Sequence, residues 1–168
     1  INRILISMGG VDRTDATSMA LDALDANPRT VDAEKNVIMG QHSPWLTKIS
    51  RQAANMPHTH VHVSVGNMAE FMANSDLAIG AAGSTSWERC CLGLPTLAVI
   101  LADNQCLSAR ALDAAGVQLT VGEQGAMGAI LPERLNQLDE QAMISMSLRA
   151  SALVDGLGAQ RALEAMNA

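Results

Sequence analysis

The feature that most constrains this chain is a regular alternation of short apolar runs with longer segments of helical periodicity. The runs at 3–8, 35–39, 60–64, 76–80, 96–100 and 118–121 have strand length and are bounded by Gly, Pro, Asn, Asp or Ser. Between them, 15–26, 44–55, 67–74, 85–92 and 105–115 read as helices, with further helices within 132–166. Strands that alternate with helices are joined by crossovers, so neighbouring strands run parallel. The expected fold is α/β, a doubly wound parallel sheet of six strands. No composition break marks a linker, and 1–168 reads as a single domain. In the helix at 105–115, Leu107, Ala111, Leu112 and Ala115 recur at helical spacing and Gly116 follows as a stop. Near the end, Asp155-Gly156-Leu157-Gly158 interrupts the apolar pattern and predicts a turn.

Ligands of open parallel sheets bind outside the carboxyl ends of the strands, which directs attention to the loops that follow them. After the first strand comes Met8-Gly9-Gly10-Val11-Asp12, where the pair Gly9 and Gly10 fits either a phosphate-facing loop or a plain tight turn. Thr14 and Asp15 read as caps of the next helix. The stretch from Ser75 to Gln105, SDLAIGAAGSTSWERCCLGLPTLAVILADNQ, carries more. Its first apolar run ends in small residues through Gly83, which let a ligand approach the backbone. Ser84, Thr85 and Ser86 then read as the cap of a helix whose free amides favour an anion. Glu88 in its first turn fits two roles equally: a capping-box partner, or an acceptor for a ribose diol. The second run, from Thr96 to Leu101, leads into the polar cluster Asp103, Asn104 and Gln105.

Charge and composition exclude some classes. A formal net charge of −6 is the wrong sign for gripping a nucleic-acid polymer or an anionic membrane, though not for a small phosphate held by backbone amides. No apolar run approaches the roughly 20 residues that span a bilayer, which makes the cytoplasm the expected location. Cys90, Cys91 and Cys106 suit neither a disulfide framework nor a four-ligand zinc site, and read as ordinary thiols. His58, His60 and His62 alternate, so a strand would set them on one face. Alternating polar residues also mark a solvated edge, and no further ligand type is supplied nearby, so no metal or cofactor is expected. His42 follows Gly40 at a strand end and reads as a solvated loop residue. Ser84 lacks the Gly two positions on that a nucleophile elbow needs, and no catalytic triad can be assembled from spacing.

Three stretches, SMGGVDRTDAT at 7–17, the segment 75–105 and VDGLGAQR at 154–161, resemble the C-terminal half of the UDP-2,4-diacetamido-2,4,6-trideoxy-β-L-altropyranose hydrolases of pseudaminic acid synthesis. These are relatives of the MurG-type glycosyltransferases with the two-domain GT-B fold. The resemblance implies a Rossmann-like domain that binds UDP or a UDP-sugar, with Gly83, Ser84 and Thr85 at the diphosphate and Glu88 at the ribose. It implies further that Gly9 and Gly10 lie under the phosphates and sugar, that backbone around Val65 and Met68 reads uracil, and that Asn104 and Gln105 face the sugar. The family's catalytic His belongs to an N-terminal domain that these residues do not include, and none of the four His stands at a family catalytic position. The chain alone is thus expected to bind a uridine nucleotide and turn over nothing. Two alternatives stay open: the donor half of a MurG-like glycosyltransferase, and a non-catalytic binding module. Either enzyme reading leaves an interdomain face exposed, through which the chain could self-associate.

Overall fold

A computed structural model describes residues 1–167. The chain runs β1 (Arg3–Ser7), α1 (Ala16–Asp25), β2 (Glu34–Met39), α2 (Leu46–Ala54), β3 (Thr59–Val63), α3 (Met68–Ala73), β4 (Leu77–Ala81), α4 (Thr85–Cys91) and β5 (Thr96–Ile100). A 3₁₀ turn at Asp103–Gln105 then leads into α5 (Cys106–Ala114), β6 (Leu119–Glu123), α6 (Met127–Gln137), α7 (Glu140–Leu153) and α8 (Gly158–Met166). All six strands are parallel, in the order β3-β2-β1-β4-β5-β6. The expected doubly wound six-stranded sheet is therefore observed. Because the chain winds outward from β1 to β3 and then returns to pair β4 with β1, the connections diverge between these two strands. That divergence opens a crevice at their carboxyl ends.

Side-chain alternation along the central strands divides the core in two. Ile4 and Ile6 of β1, Leu77 and Ile79 of β4, and Leu97 and Val99 of β5 face one layer, where Ala20, Leu21 and Leu24 of α1 and Leu131 and Leu135 of α6 pack on them. The opposite face carries Leu5, Ala78 and Ala98, smaller on average, against Met72, Leu94 and Ala109.

Four expectations about elements are corrected. First, α6 begins at Met127 and contains Pro132, whereas helix was expected only from 132 onward. Met127, Leu131 and Leu135 recur at i, i+4 and i+8 and are fully buried, so tertiary burial overrides weak helix propensity. Second, β6 ends later than 121 because the β5–β6 register slips between Ala98 and Val99, at a bulge beside Gly122 with φ 96°. Third, α5 buries Ala109 and Leu112, while Leu107 is 83% exposed and Ala111 and Ala115 face solvent. Gly116 ends that helix as anticipated, with φ 69°. Fourth, His58 precedes β3 with a left-handed backbone (φ 52°), which breaks the alternation that would align three His on one strand face.

His60 and His62 remain neighbours, 6.5 Å between ring centroids. The Asn36 amide donates to Glu34 at 2.9 Å, so its oxygen accepts from His62 Nε2 at 2.8 Å. The ring also packs 4.7 Å from Phe71. Burial, reinforced by His60 and opposed by Glu34, holds the His62 imidazole below its ordinary pKa. The unfolded chain therefore takes up the proton first as pH falls below about 6.5, and stability drops across that window until the folded His62 protonates as well. Urea unfolding at pH 7.5 and pH 5.5 is expected to show lower stability at the lower pH, by a margin that His62→Gln reduces. Equal pH dependence in the two proteins would contradict it.

Candidate functional site

The crevice between β1 and β4 is a cleft of about 430 Å³, large enough for part of a nucleotide but open on one side. One wall is the loop after β1, from Met8 to Thr14. The other combines Ala81, Gly83, Ser84 and Thr85 with Leu101 and Gln105. The structure thus brings six of the residues singled out by sequence into one cavity: Gly9, Gly10, Gly83, Ser84, Thr85 and Gln105. Four do not line it. Glu88 and Asn104 stand exposed beside it, one on α4 and one in the 3₁₀ turn. Val65 and Met68 are half-buried between β3 and α3, packed on the cluster of Leu5, Ile38 and Met72.

The first wall is shaped by Asp12. Its carboxylate accepts from the amides of Ala16 and Thr17, both at 3.0 Å, and caps α1 from inside the protein, with 4% of the residue exposed. Asp15, expected as the cap, instead has a left-handed backbone, makes no cap hydrogen bond and pairs with Lys48; the Thr14 carbonyl accepts from Gln124 at 2.8 Å. The reason is geometric. A left-handed residue at Asp12 (φ 45°) turns the chain so that a side chain four positions ahead of the helix reaches its free amides. The loop rests directly on the residue that follows β2, where a Cβ at Gly40 would lie 2.0 Å from the Gly10 carbonyl oxygen.

The second wall lacks the expected side-chain caps. Ser84 holds a helical conformation, and its hydroxyl does not cap α4. Among the described residues the amides of Gly83, Ser84 and Thr85 donate to no backbone carbonyl. Among the described residues no amide donates to the Glu88 carboxylate, so no capping box forms. Gln105 folds back over the cleft: its Oε1 accepts from the Leu101 amide at 2.9 Å, and its Nε2 would lie 3.5 Å from a Cβ at Gly83.

Sequence reasoning missed Arg89. Its guanidinium is 2% exposed and lies against Gly80, donating to the Ala81 carbonyl at 2.8 Å, Ser86 Oγ at 3.0 Å and Thr85 Oγ1 at 3.2 Å. The spacing was available: Thr85 and Ser86 stand four and three residues before Arg89, the separations at which helical side chains meet. No three His, Cys, Asp or Glu side chains converge on a metal site among the described residues, and the three thiols are free.

The glycosyltransferase family 28 C-terminal domain model matches residues 16–159. Among curated proteins, the chain is 30% identical over 162 residues to the spore coat polysaccharide biosynthesis protein SpsG of Bacillus subtilis, covering 92% of this chain and 47% of that protein. The chain thus spans about half the length of this relative. Among solved structures, MurG of Acinetobacter baumannii superposes with a TM-score of 0.73 at 20% identity, over 99% of this chain and 52% of that one. The UDP-GlcNAc 2-epimerase of Neisseria meningitidis bound to UDP-GlcNAc superposes with a TM-score of 0.76 at 17% identity, over 98% and 44%. At these identities the likeness is one of fold.

Proposed function

As this chain belongs to the glycosyltransferase family 28 C-terminal domains, we propose that it is the donor-binding domain of a sugar-nucleotide glycosyltransferase. In this reading the cleft between β1 and β4 takes the diphosphate of a UDP-sugar. The observation that carries it is the wall of unused amides at Gly83, Ser84 and Thr85, at the crevice where parallel sheets bind nucleotides. Glu88, exposed and with a carboxylate that makes no hydrogen bond among the described residues, accepts from the ribose hydroxyls, and the backbone near Val65 and Met68 reads the base. Gly9 and Gly10 lie beneath the phosphates, while Asn104 and Gln105 meet the sugar. The Neisseria epimerase, a structural neighbour, is bound to UDP-GlcNAc, which supports a uridine nucleotide as the ligand class.

During transfer, negative charge grows on the leaving diphosphate, and fixed amides aimed at it lower the barrier. The acceptor and any general base come from outside these residues. Val11, Trp87 and Leu107, exposed apolar side chains on the loop after β1 and on α4 and α5, supply an apolar surface for a second domain. Left uncovered, it would also serve self-association. No helix among the described residues is long and apolar enough to cross a membrane.

Titration with UDP, TDP, UMP and ADP tests the binding reading. UDP is expected to bind most tightly; equal affinity for ADP, or no binding of any of the four, would overturn it. Glu88→Ala should weaken UDP by roughly 1–3 kcal/mol with the fold preserved, since charge-assisted bonds to a diol are lost while the exposed carboxylate makes no internal hydrogen bond. Undiminished UDP affinity in that variant would remove Glu88 from the ribose.

The motif resemblance at 7–17, 75–105 and 154–161 favours a second reading, in which the acceptor is water and the whole enzyme is a UDP-sugar hydrolase. The full-length protein distinguishes them: a sugar released free from UDP in the absence of any acceptor indicates hydrolysis, and one appearing only on an added acceptor indicates transfer.

A further inference from the structure

Arg89 is a buried cation without a counter-ion. No carboxylate lies within ion-pair distance of it among the described residues, and Nε has no partner. An unneutralised buried charge is costly, and desolvation pushes the Arg89 pKa down to about 10. Two structural features nevertheless provide for it. Gly80 leaves the space that the guanidinium fills, for a Cβ there would lie 2.8 Å from Nη1 and 2.9 Å from the Ser7 carbonyl oxygen. Two of the three acceptors it uses, Ala81 and Thr85, line the second wall of the cleft, and the third, Ser86, is buried and follows directly in sequence.

The contacts to Ala81 and Thr85 alter what the wall presents. A carbonyl near a bound diphosphate repels it, and at Ala81 the guanidinium occupies that oxygen. Because Thr85 Oγ1 accepts from Nη1, its own proton is directed away from Arg89, and this half-buried hydroxyl is left to donate to an acceptor in the cleft. Behind both stands a full positive charge in a region of low dielectric.

Building on the donor-site reading above, we propose that Arg89 is a positioning residue for the anionic part of the ligand. It masks the Ala81 carbonyl, sets Thr85 as a donor and supplies the positive charge that the bound diphosphate balances. Arg89 does not touch the ligand and takes no part in bond making.

The test compares UDP with uridine, which shares the base and ribose but carries no charge. Chemical-shift titrations on the parent chain, Arg89→Met, Arg89→Lys and Thr85→Val give both affinities, with circular dichroism as the check on fold. Arg89→Met is expected to lose about ten-fold or more in UDP affinity while uridine stays within about two-fold, and Arg89→Lys to fall between, since it keeps the charge but not the fork. Unchanged UDP affinity in Arg89→Met, or equal losses for UDP and uridine, would overturn the proposal, the latter by reducing Arg89 to a structural role. Should Arg89→Met fail to fold, Thr85→Val decides: its UDP preference over uridine must fall by about three-fold or more, and a preserved preference overturns the proposal. A parent chain that binds neither ligand overturns the donor-site reading itself. A parent that binds UDP with variants indistinguishable from it overturns only the role of Arg89.

Discussion

Asp12→Ala is expected to lower the unfolding free energy by about 3 kcal/mol, the largest loss from any single side chain at the cleft. Both carboxylate oxygens accept from buried amides at the start of α1, and the residue is 4% exposed, so water cannot replace them. Ordinary exposed caps are worth about 1 kcal/mol; here two charge-assisted bonds are lost together and two amides stay buried without acceptors. Asp12→Asn keeps one acceptor and should lose about half as much. Urea unfolding monitored by circular dichroism measures both. A loss below about 1 kcal/mol for Asp12→Ala would show that the loop relaxes to let water reach Ala16 and Thr17.

Gly40→Ala should act on the same loop from beneath. The added methyl would stand 2.0 Å from the Gly10 carbonyl oxygen and 2.9 Å from its carbon, contacts that no rotamer relieves because both partners are backbone. Either the loop after β1 lifts away from β2 or the strand ends part, at a cost of about 1–3 kcal/mol. If Gly9 and Gly10 underlie the phosphates, UDP affinity falls with it. Gly10→Ala is the contrast, since a Cβ there meets nothing within 4 Å. It should leave stability unchanged, so that any loss of UDP in this variant reports crowding of the ligand itself. Melting curves and UDP titrations of the two variants together separate loop support from ligand contact; a Gly40→Ala protein with the parent's stability and affinity would contradict the steric argument.

Much of the architecture was legible because it depends on patterns that are local in the chain. Apolar runs of strand length separated by helical segments require crossovers, and crossovers require parallel neighbours; six such runs gave six strands. The two loops that matter were found on the same ground, since both follow an apolar run and both are rich in Gly. The errors fell where non-local burial outweighed local preference. Residues 125–131 were unreadable as helix because their glycines count against it, until Met127 and Leu131 are seen buried against the sheet. Leu107 marked the wrong face of α5, since a sequence gives a helix its period but not the direction from which its partner approaches.

What the sequence by itself determined was therefore the class of fold and the loops available for binding, because periodicity and turn chemistry are written in neighbouring residues. The tertiary structure alone decided which groups those loops present. It turned Asp12 into the helix cap in place of Asp15, left Glu88 unpaired, folded Gln105 over Gly83 and placed the charge of Arg89 behind Ala81 and Thr85. The pairing of β4 with β1 is what brings the two loops together, although more than 60 residues of chain lie between them. Hydrogen bonds and close approaches of that kind depend on distances in space, which residue spacing along the chain does not contain.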